Sequence, residues 1–195
     1  MPASCQMTAL SHMISIMSNQ LVRALRALPH DIRHFDQGTL LFAQGDTVGS
    51  LHLIASGAVH LVRHQTGGFT LTLHRARTGA ILAEASLFSD TYHCDAIAAQ
   101  ATRTVCIPRT TVRAAMAHDP ELVQSWAGFL AREVQATRLR AEILALRTVA
   151  ERLEAWLALQ GGRLPDKGGW KTVATEIGVS AEALYRELAR RRRRT

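Results

Sequence analysis

From Ile32 to Pro108, apolar residues recur at alternate positions in short runs separated by glycine. Thr39–Phe42, Ser50–Ile54, Ala58–Arg63, Phe69–His74, Asp95–Ala98 and Thr104–Ile107 each read as a strand with one face turned inward. Gly67-Gly68 lies between two alternating runs and predicts a hairpin, and Gly38, Gly45, Gly57 and Gly79 punctuate the rest. Short strands at this spacing predict an antiparallel roll or barrel. Past Pro108 the spacing changes to threes and fours. Thr110–Ala117 predicts a short helix, and His118-Asp119-Pro120 caps the next one, from Glu121 to about Ala145. Its apolar positions are Leu122, Trp126, Phe129, Leu130, Val134, Thr137, Ala141 and Leu144, flanked by Arg132, Glu133, Arg138, Arg140 and Glu142. A stripe sustained this far fits a seam against a partner helix, or a helix packed on its own domain alone. Thr148–Gln160 is amphipathic, with Val149, Leu153, Trp156 and Leu157 inward, and Gly161-Gly162 ends it. Ahead of the strands, residues 1–28 read as a loose start and a short helix, Ser11–Leu28, stopped by Pro29.

After a loop from Pro165 to Gly169, Thr172–Ile177 has helical spacing with Val173, Ala174 and Ile177 on one apolar face. Gly178 supplies a turn, Val179 plugs the angle, and Ser180 is a good N-cap for a second helix, Ala181–Arg194. Two helices joined in this way predict a DNA-reading helix-turn-helix. Leu184 and Leu188 face inward, while Ala181, Glu182, Tyr185 and Arg186 lie on the outer face near the N-terminal end. Arg186 suits guanine and Glu182 suits cytosine in a major groove. Lys171 and Thr172 are expected to hold phosphates, with Ser180 and Arg190 also at the interface. A surface hairpin with a solvated basic tail is the plainer alternative.

Charge sharpens this reading. The chain of 195 residues carries a formal net charge of +7. From Gly161 to Thr195 there are nine basic residues against four acidic ones, a net +5 beside the reading helix. Such an imbalance favours a polyanionic partner. With 47% hydrophobic and 20% charged residues, the chain can build packed cores. Met1–Met17 does not read as a secretory segment, and no stretch approaches a membrane span. A cytoplasmic protein with reduced thiols is therefore expected, its three cysteines being Cys5, Cys94 and Cys106.

Over nearly its whole length the chain resembles the CRP/FNR family of bacterial transcription regulators. Gly38-x-x-Leu41-Phe42-x-x-Gly45-Asp46 and Leu53-Ile54-x-x-Gly57-x-Val59 are similar to that family's glycine-punctuated strands. Gly79–Ala96, containing Glu84 and Leu87-Phe88, looks like its phosphate-binding cassette, and Ile177-Gly178-Val179-Ser180-x-Glu182-x-Leu184-x-Arg186 like its turn and reading helix. The resemblance implies an α+β protein. An N-terminal antiparallel β-roll (a double-stranded β-helix) over residues 1–118 would be the sensor, residues 119–146 a dimerisation helix, and residues 147–195 an all-α helix-turn-helix domain without an evident wing. It also implies a homodimer on a two-fold related duplex site, contact with RNA polymerase, and a signal in the roll that alters the long-helix seam and turns the reading heads.

The cassette departs from the family pattern. Ala83 stands where the family has glycine, Cys94 where it has arginine, and Asp95 where it has serine or threonine. Loss of the cation and gain of a carboxylate argue against cyclic AMP. The effector pocket is expected at Glu84, Ala85, Ser86, His93, Cys94 and Asp95, with the effector and any cofactor unknown. Glu84 could instead cap the short helix. Cys94 beside His93 could be oxidisable or a soft metal ligand, or simply a small core residue. An oxygen-sensing iron–sulfur cluster needs four cysteines, and haem sensing needs a Cys and a His where Ala83 and Ala85 stand. Cys5, Met7, His12, Met13 and Met17 could be copper(I) ligands or ordinary helix positions. Two rival classes stay open. One is a regulator-like protein with lost or weak DNA binding that acts through protein interaction, unless Arg190–Arg194 replaces the wing by neutralising phosphates. The other is a cupin-type metal enzyme using His60, His64, His74 and Glu84, although the close His pair of a cupin is missing.

Overall fold

The computed structural model describes residues 20–66 and 68–193. Contacts divide the chain into two compact units, Met1–Phe129 and Leu130–Thr195. In the first, residues 20–27 are helical (α1), with Leu21 and Leu25 one turn apart and fully buried. The part of the expected helix before residue 20 lies outside the described residues, as do Cys5, Met7, His12, Met13 and Met17. Eight strands follow: β1 Asp31–Phe35, β2 Leu40–Phe42, β3 Ser50–Ser56, β4 Ala58–His64, β5 Thr70–Arg77, β6 Ile81–Leu82, β7 Asp95–Ala98 and β8 Thr102–Pro108. They form two antiparallel four-stranded sheets, ordered β1-β8-β3-β6 and β2-β7-β4-β5, which is the expected roll.

Alternation builds the core. Val59 and Leu61 of β4 and Ala96 and Ala98 of β7 are buried, and most of these pack with Phe42, Ile54, Leu82, Tyr92 and Cys94. Gly57 turns β3 into β4 with φ 100°, and a Cβ there would overlap Thr102 Oγ1. That hydroxyl is itself tied to the Ala58 backbone, so the turn and β8 are sealed together. The β4–β5 hairpin forms as expected, closed by Gln65 and Phe69 at 3.0 Å. Two strands go beyond the sequence pattern. β1 is mostly exposed and polar, and it is a strand only because β8 pairs with it along its whole length. β6 is two buried residues held by His52 and Leu53.

Helices α2 (Arg109–His118) and α3 (Pro120–Ala145) follow. Asp119 caps the latter, its Oδ1 accepting from the Glu121 and Leu122 N–H groups. Within α3, Leu122 and Trp126 are buried inside the single chain and cannot belong to an external seam. The outward stripe runs instead from Val123 to Leu144, and Val123, Val134 and Leu144 on it are exposed. In the second unit, α4 (Val149–Leu159) starts with a reciprocal cap between Thr148 and Glu151. α5 (Trp170–Glu176) begins two residues earlier than its apolar face suggests, and α6 spans Ala181–Arg192. Ile143, Leu153, Trp156, Val173, Ala174, Ile177, Leu184 and Leu188 form this unit's core. No described helix is long and apolar enough to cross a membrane.

Candidate nucleic-acid interface and effector cassette

Between α5 and α6 the chain turns on Gly178, at φ 65°, where a Cβ would overlap the Leu144 side chain. Val179 packs against the core, and its N–H donates to Ala174 O at 2.9 Å. Ser180 Oγ accepts from the Ala183 N–H, as an N-cap should. One guanidinium fixes this corner. Arg152 donates from Nη1 to Ile177 O (3.2 Å) and Gly178 O (3.0 Å). It also donates to Leu146 O (2.9 Å) and Leu144 O (3.0 Å) at the end of α3. Arg152 was invisible in the sequence pattern, being one more charged residue on an amphipathic helix.

On α6, Glu182 and Arg186 are exposed, and Ala181 and Tyr185 are half-buried. Lys171, Thr172 and Ser180 are exposed nearby in the chain. Its own backbone N–H and the Ser180 hydroxyl hold the Glu182 carboxyl below the usual carboxylate range, so it is ionised at the helix start. The basic block beyond is differently disposed. Glu187 is buried and accepts two bonds from Arg190, both 2.8 Å, and one from Arg191 at 2.9 Å. Hydrogen bonds from these arginines pull its carboxyl down to about 2. Arg191 also bonds Glu154 (2.8 Å) and Ala150 O (3.0 Å) on α4. Arg190 and Arg191 are therefore engaged within the unit, while Arg192 lies over the Trp170 ring at 5.5 Å.

In the roll, the expected cassette residues divide into two groups. A 3-10 turn, Glu84–Ser86, starts from Ala83, which is buried and held at φ 67° in a conformation that favours glycine. Ser86 is buried and its hydroxyl lies 3.0 Å from His93 Nδ1. Cys94 belongs to the roll's core, where burial pushes its thiol up and away from the reactive thiolate. Tyr92, stacked on Phe42 at 4.0 Å, anchors this segment through Gly49, Ser50 and its own hydroxyl. Glu84 is half-buried and Ala85 exposed. Asp95 is drawn elsewhere: it accepts from the Gln44 N–H at 2.6 Å and lies 3.3 Å from His64 Nε2.

Neither Cys94, in the core, nor Asp95, engaged by Gln44 and His64, supplies a cation to this segment. A cation does stand beside them, supplied by β4. Arg63 Nη2 donates to His93 O at 2.9 Å, and its buried Nε has no hydrogen-bond partner among the described residues. Burial and the Arg63 charge together lower the His93 pKa. The alternation Val59, Leu61, Arg63 was the overlooked signal, since it puts a charge on an inward position.

A second polar group was also missed. His52 and Cys106, paired across β3 and β8, are buried with His52 Nδ1 3.2 Å from Cys106 Sγ, which lies 3.2 Å from Thr104 Oγ1. The cupin alternative is not supported: no three His, Cys, Asp or Glu side chains converge as metal ligands among the described residues. His64 turns to Asp95 and Thr70, because neighbouring strands offer it those partners.

Comparison with known proteins agrees with this architecture. Residues 32–119 match the cyclic nucleotide-binding domain. The Cyclic AMP receptor protein of Thermus thermophilus is 30% identical over 122 residues, 62% of this chain and 56% of that protein. The Global nitrogen regulator of Synechococcus elongatus is 27% identical over 136 residues, 68% of this chain and 61% of that one. The chain thus aligns with less than two thirds of either relative's length. In fold, FixK2 from Bradyrhizobium japonicum superposes with a TM-score of 0.66 at 16% identity, covering 84% of each chain. The matched domain and the superposition together show the fold: a cyclic nucleotide-binding roll over residues 32–119, followed by helices of which the last two are joined at Gly178.

Proposed function

We propose that this protein is a homodimeric, sequence-specific DNA-binding transcription regulator of the cytoplasm, with the β-roll as its signal input. The observation that carries the reading is α6: a capped helix, set on Gly178, with Glu182 and Arg186 exposed at its N-terminal end. Each protomer would lay that end in a major groove, with half-sites about one helical turn (~34 Å) apart. Ala181 and Tyr185 flank the readers, and Lys171, Thr172 and Ser180 face phosphates. The outward stripe of α3, with Val123, Val134 and Leu144, is the surface through which two copies would join. Contact with RNA polymerase would follow from binding near promoters.

In the roll, Cys94 and Asp95 argue against cyclic AMP, because one is a core residue and the other is already engaged. An anionic signal would meet Arg63 instead. A second reading, a family member with weak DNA binding that acts through protein contacts, is favoured by the engagement of Arg190 and Arg191 with Glu187 and Glu154. Selection of bound duplexes from a random pool, with sedimentation to give the oligomeric state, tests both. The regulator reading expects a dimer and a palindromic consensus. Arg186→Ala should then cost about 1–3 kcal/mol and relax preference at one base pair. A monomer that selects no sequence would leave only the second reading.

A further inference from the structure

Lys167, Trp170, Tyr185 and Arg192 line a half-open cleft of about 360 Å³ in the second unit. Lys167 comes from the turn before α5, Trp170 opens α5, and Tyr185 and Arg192 project from α6. The two rings are 5.6 Å apart and inclined at 50°, and the Arg192 guanidinium covers the Trp170 face at 5.5 Å. Trp170 is fixed by its Nε1 donating to Pro165 O at 3.0 Å. Aromatic walls with two cations describe a site for an anion attached to a compact, partly apolar group.

The neighbouring cations narrow the choice. Arg190 and Arg191 spend their donors on Glu187, Glu154 and Ala150, whereas no ion pair to Lys167 or Arg192 is found among the described residues. Of the three arginines that end α6, Arg192 is the one whose charge stands at this cleft, and Lys167 faces it there. Tyr185 also ties the cleft to the reading surface, since it stands one residue before Arg186 on α6. An inclined ring pair in an open cleft offers no parallel slot in which a planar molecule could stack. A polymer lying across it is better matched.

We propose that this cleft is a second DNA contact, taking one backbone phosphate between Lys167 and Arg192 with the adjoining deoxyribose against Trp170 and Tyr185. The proposal rests on the DNA-binding reading above and adds the residues that fix the helix laterally. It moves the main phosphate role in the arginine block from Arg190 to Arg192. Such contacts position a protein on a duplex without reading its sequence.

The test is fluorescence anisotropy of the full chain on a labelled 40-bp duplex of mixed sequence, titrated at several salt concentrations. Each phosphate contact removed should flatten the slope of log affinity against log salt by about 0.9. Because Lys167 and Arg192 share one phosphate, the double variant should lose about 0.9 for each bound protomer, about 1.8 for a dimer, and Lys167→Ala and Arg192→Ala should each flatten the slope by part of this. Arg192→Lys keeps the charge and should keep the slope, although it loses the planar stack on Trp170. Slopes equal to wild type in both alanine variants would overturn the proposal while leaving DNA binding intact. A wild-type chain that binds no duplex even at low salt would overturn both readings together. A flattened slope in Arg190→Ala but not in Arg192→Ala would return the phosphate role to Arg190 and also refute the proposal.

Discussion

Replacing Arg152 by alanine should loosen the corner on which the reading helix is mounted. The side chain gives four hydrogen bonds of 2.9–3.2 Å to carbonyls at two helix ends, Leu144 and Leu146 at the C-terminal end of α3 and Ile177 and Gly178 just after α5. Both ends carry the negative pole of a helix, so a fixed cation there is favourable twice over. A hydrogen bond to a charged group contributes about 1.5–3 kcal/mol net. The bonds to Leu146 and Ile177 are part-buried, while those to Leu144 and Gly178 are exposed, and water can replace the latter at little cost. Counting the sheltered pair alone gives a loss of about 3 kcal/mol for Arg152→Ala, roughly a hundredfold in the folding equilibrium. A lysine lacks the planar fork and should recover less than half of this. Urea unfolding followed by tryptophan emission measures it, since Trp156 and Trp170 both lie in this unit. DNA affinity at constant salt gives the functional counterpart. An alanine variant within about 0.5 kcal/mol of wild type would place it among ordinary surface substitutions and refute the reasoning.

Two further outcomes follow from the roll. His52 is kept neutral by burial and the Arg33 charge, with its pKa lowered to about 4, whereas the unfolded chain titrates near 6.5. The unfolded state therefore binds the extra proton between these values. Stability present above pH 6.5 should fall by up to about 3 kcal/mol as pH drops to 4. His52→Gln cannot titrate, so its thermal unfolding should lack that component, and parallel pH profiles for the two proteins would contradict the assignment. At Ala83, relief of the left-handed conformation is worth about 1–2 kcal/mol to glycine, set against about 0.4–1 kcal/mol of chain entropy and about 0.8 kcal/mol for the buried methyl. Ala83→Gly should thus lie within about 1 kcal/mol of wild type, whereas Ala83→Val should be clearly destabilised in thermal denaturation. A glycine variant that unfolds far more easily than wild type would show that the methyl, not the backbone, dominates there.

The sequence by itself determined the features that act over a few residues. Alternation placed β4 and β7, threes and fours placed α3 and α4, and Gly178 with Ser180 placed the turn and the start of α6. Each depends on local backbone preference, on capping, or on which face of one element is apolar. Tertiary structure decided what lies across the chain. β1 is a strand because β8 offers it a ladder, although its own residues stay mostly exposed. Leu122 and Trp126 proved to be inside the chain, so the outward stripe of α3 begins one residue later than periodicity alone suggested. Asp95 met Gln44, Arg63 met His93, and Glu187 and Glu154 held two arginines that composition counted as available charge. A charge or an apolar side chain has a definite role only once its neighbours are known, and those neighbours are set by strand register and helix packing between residues far apart in sequence.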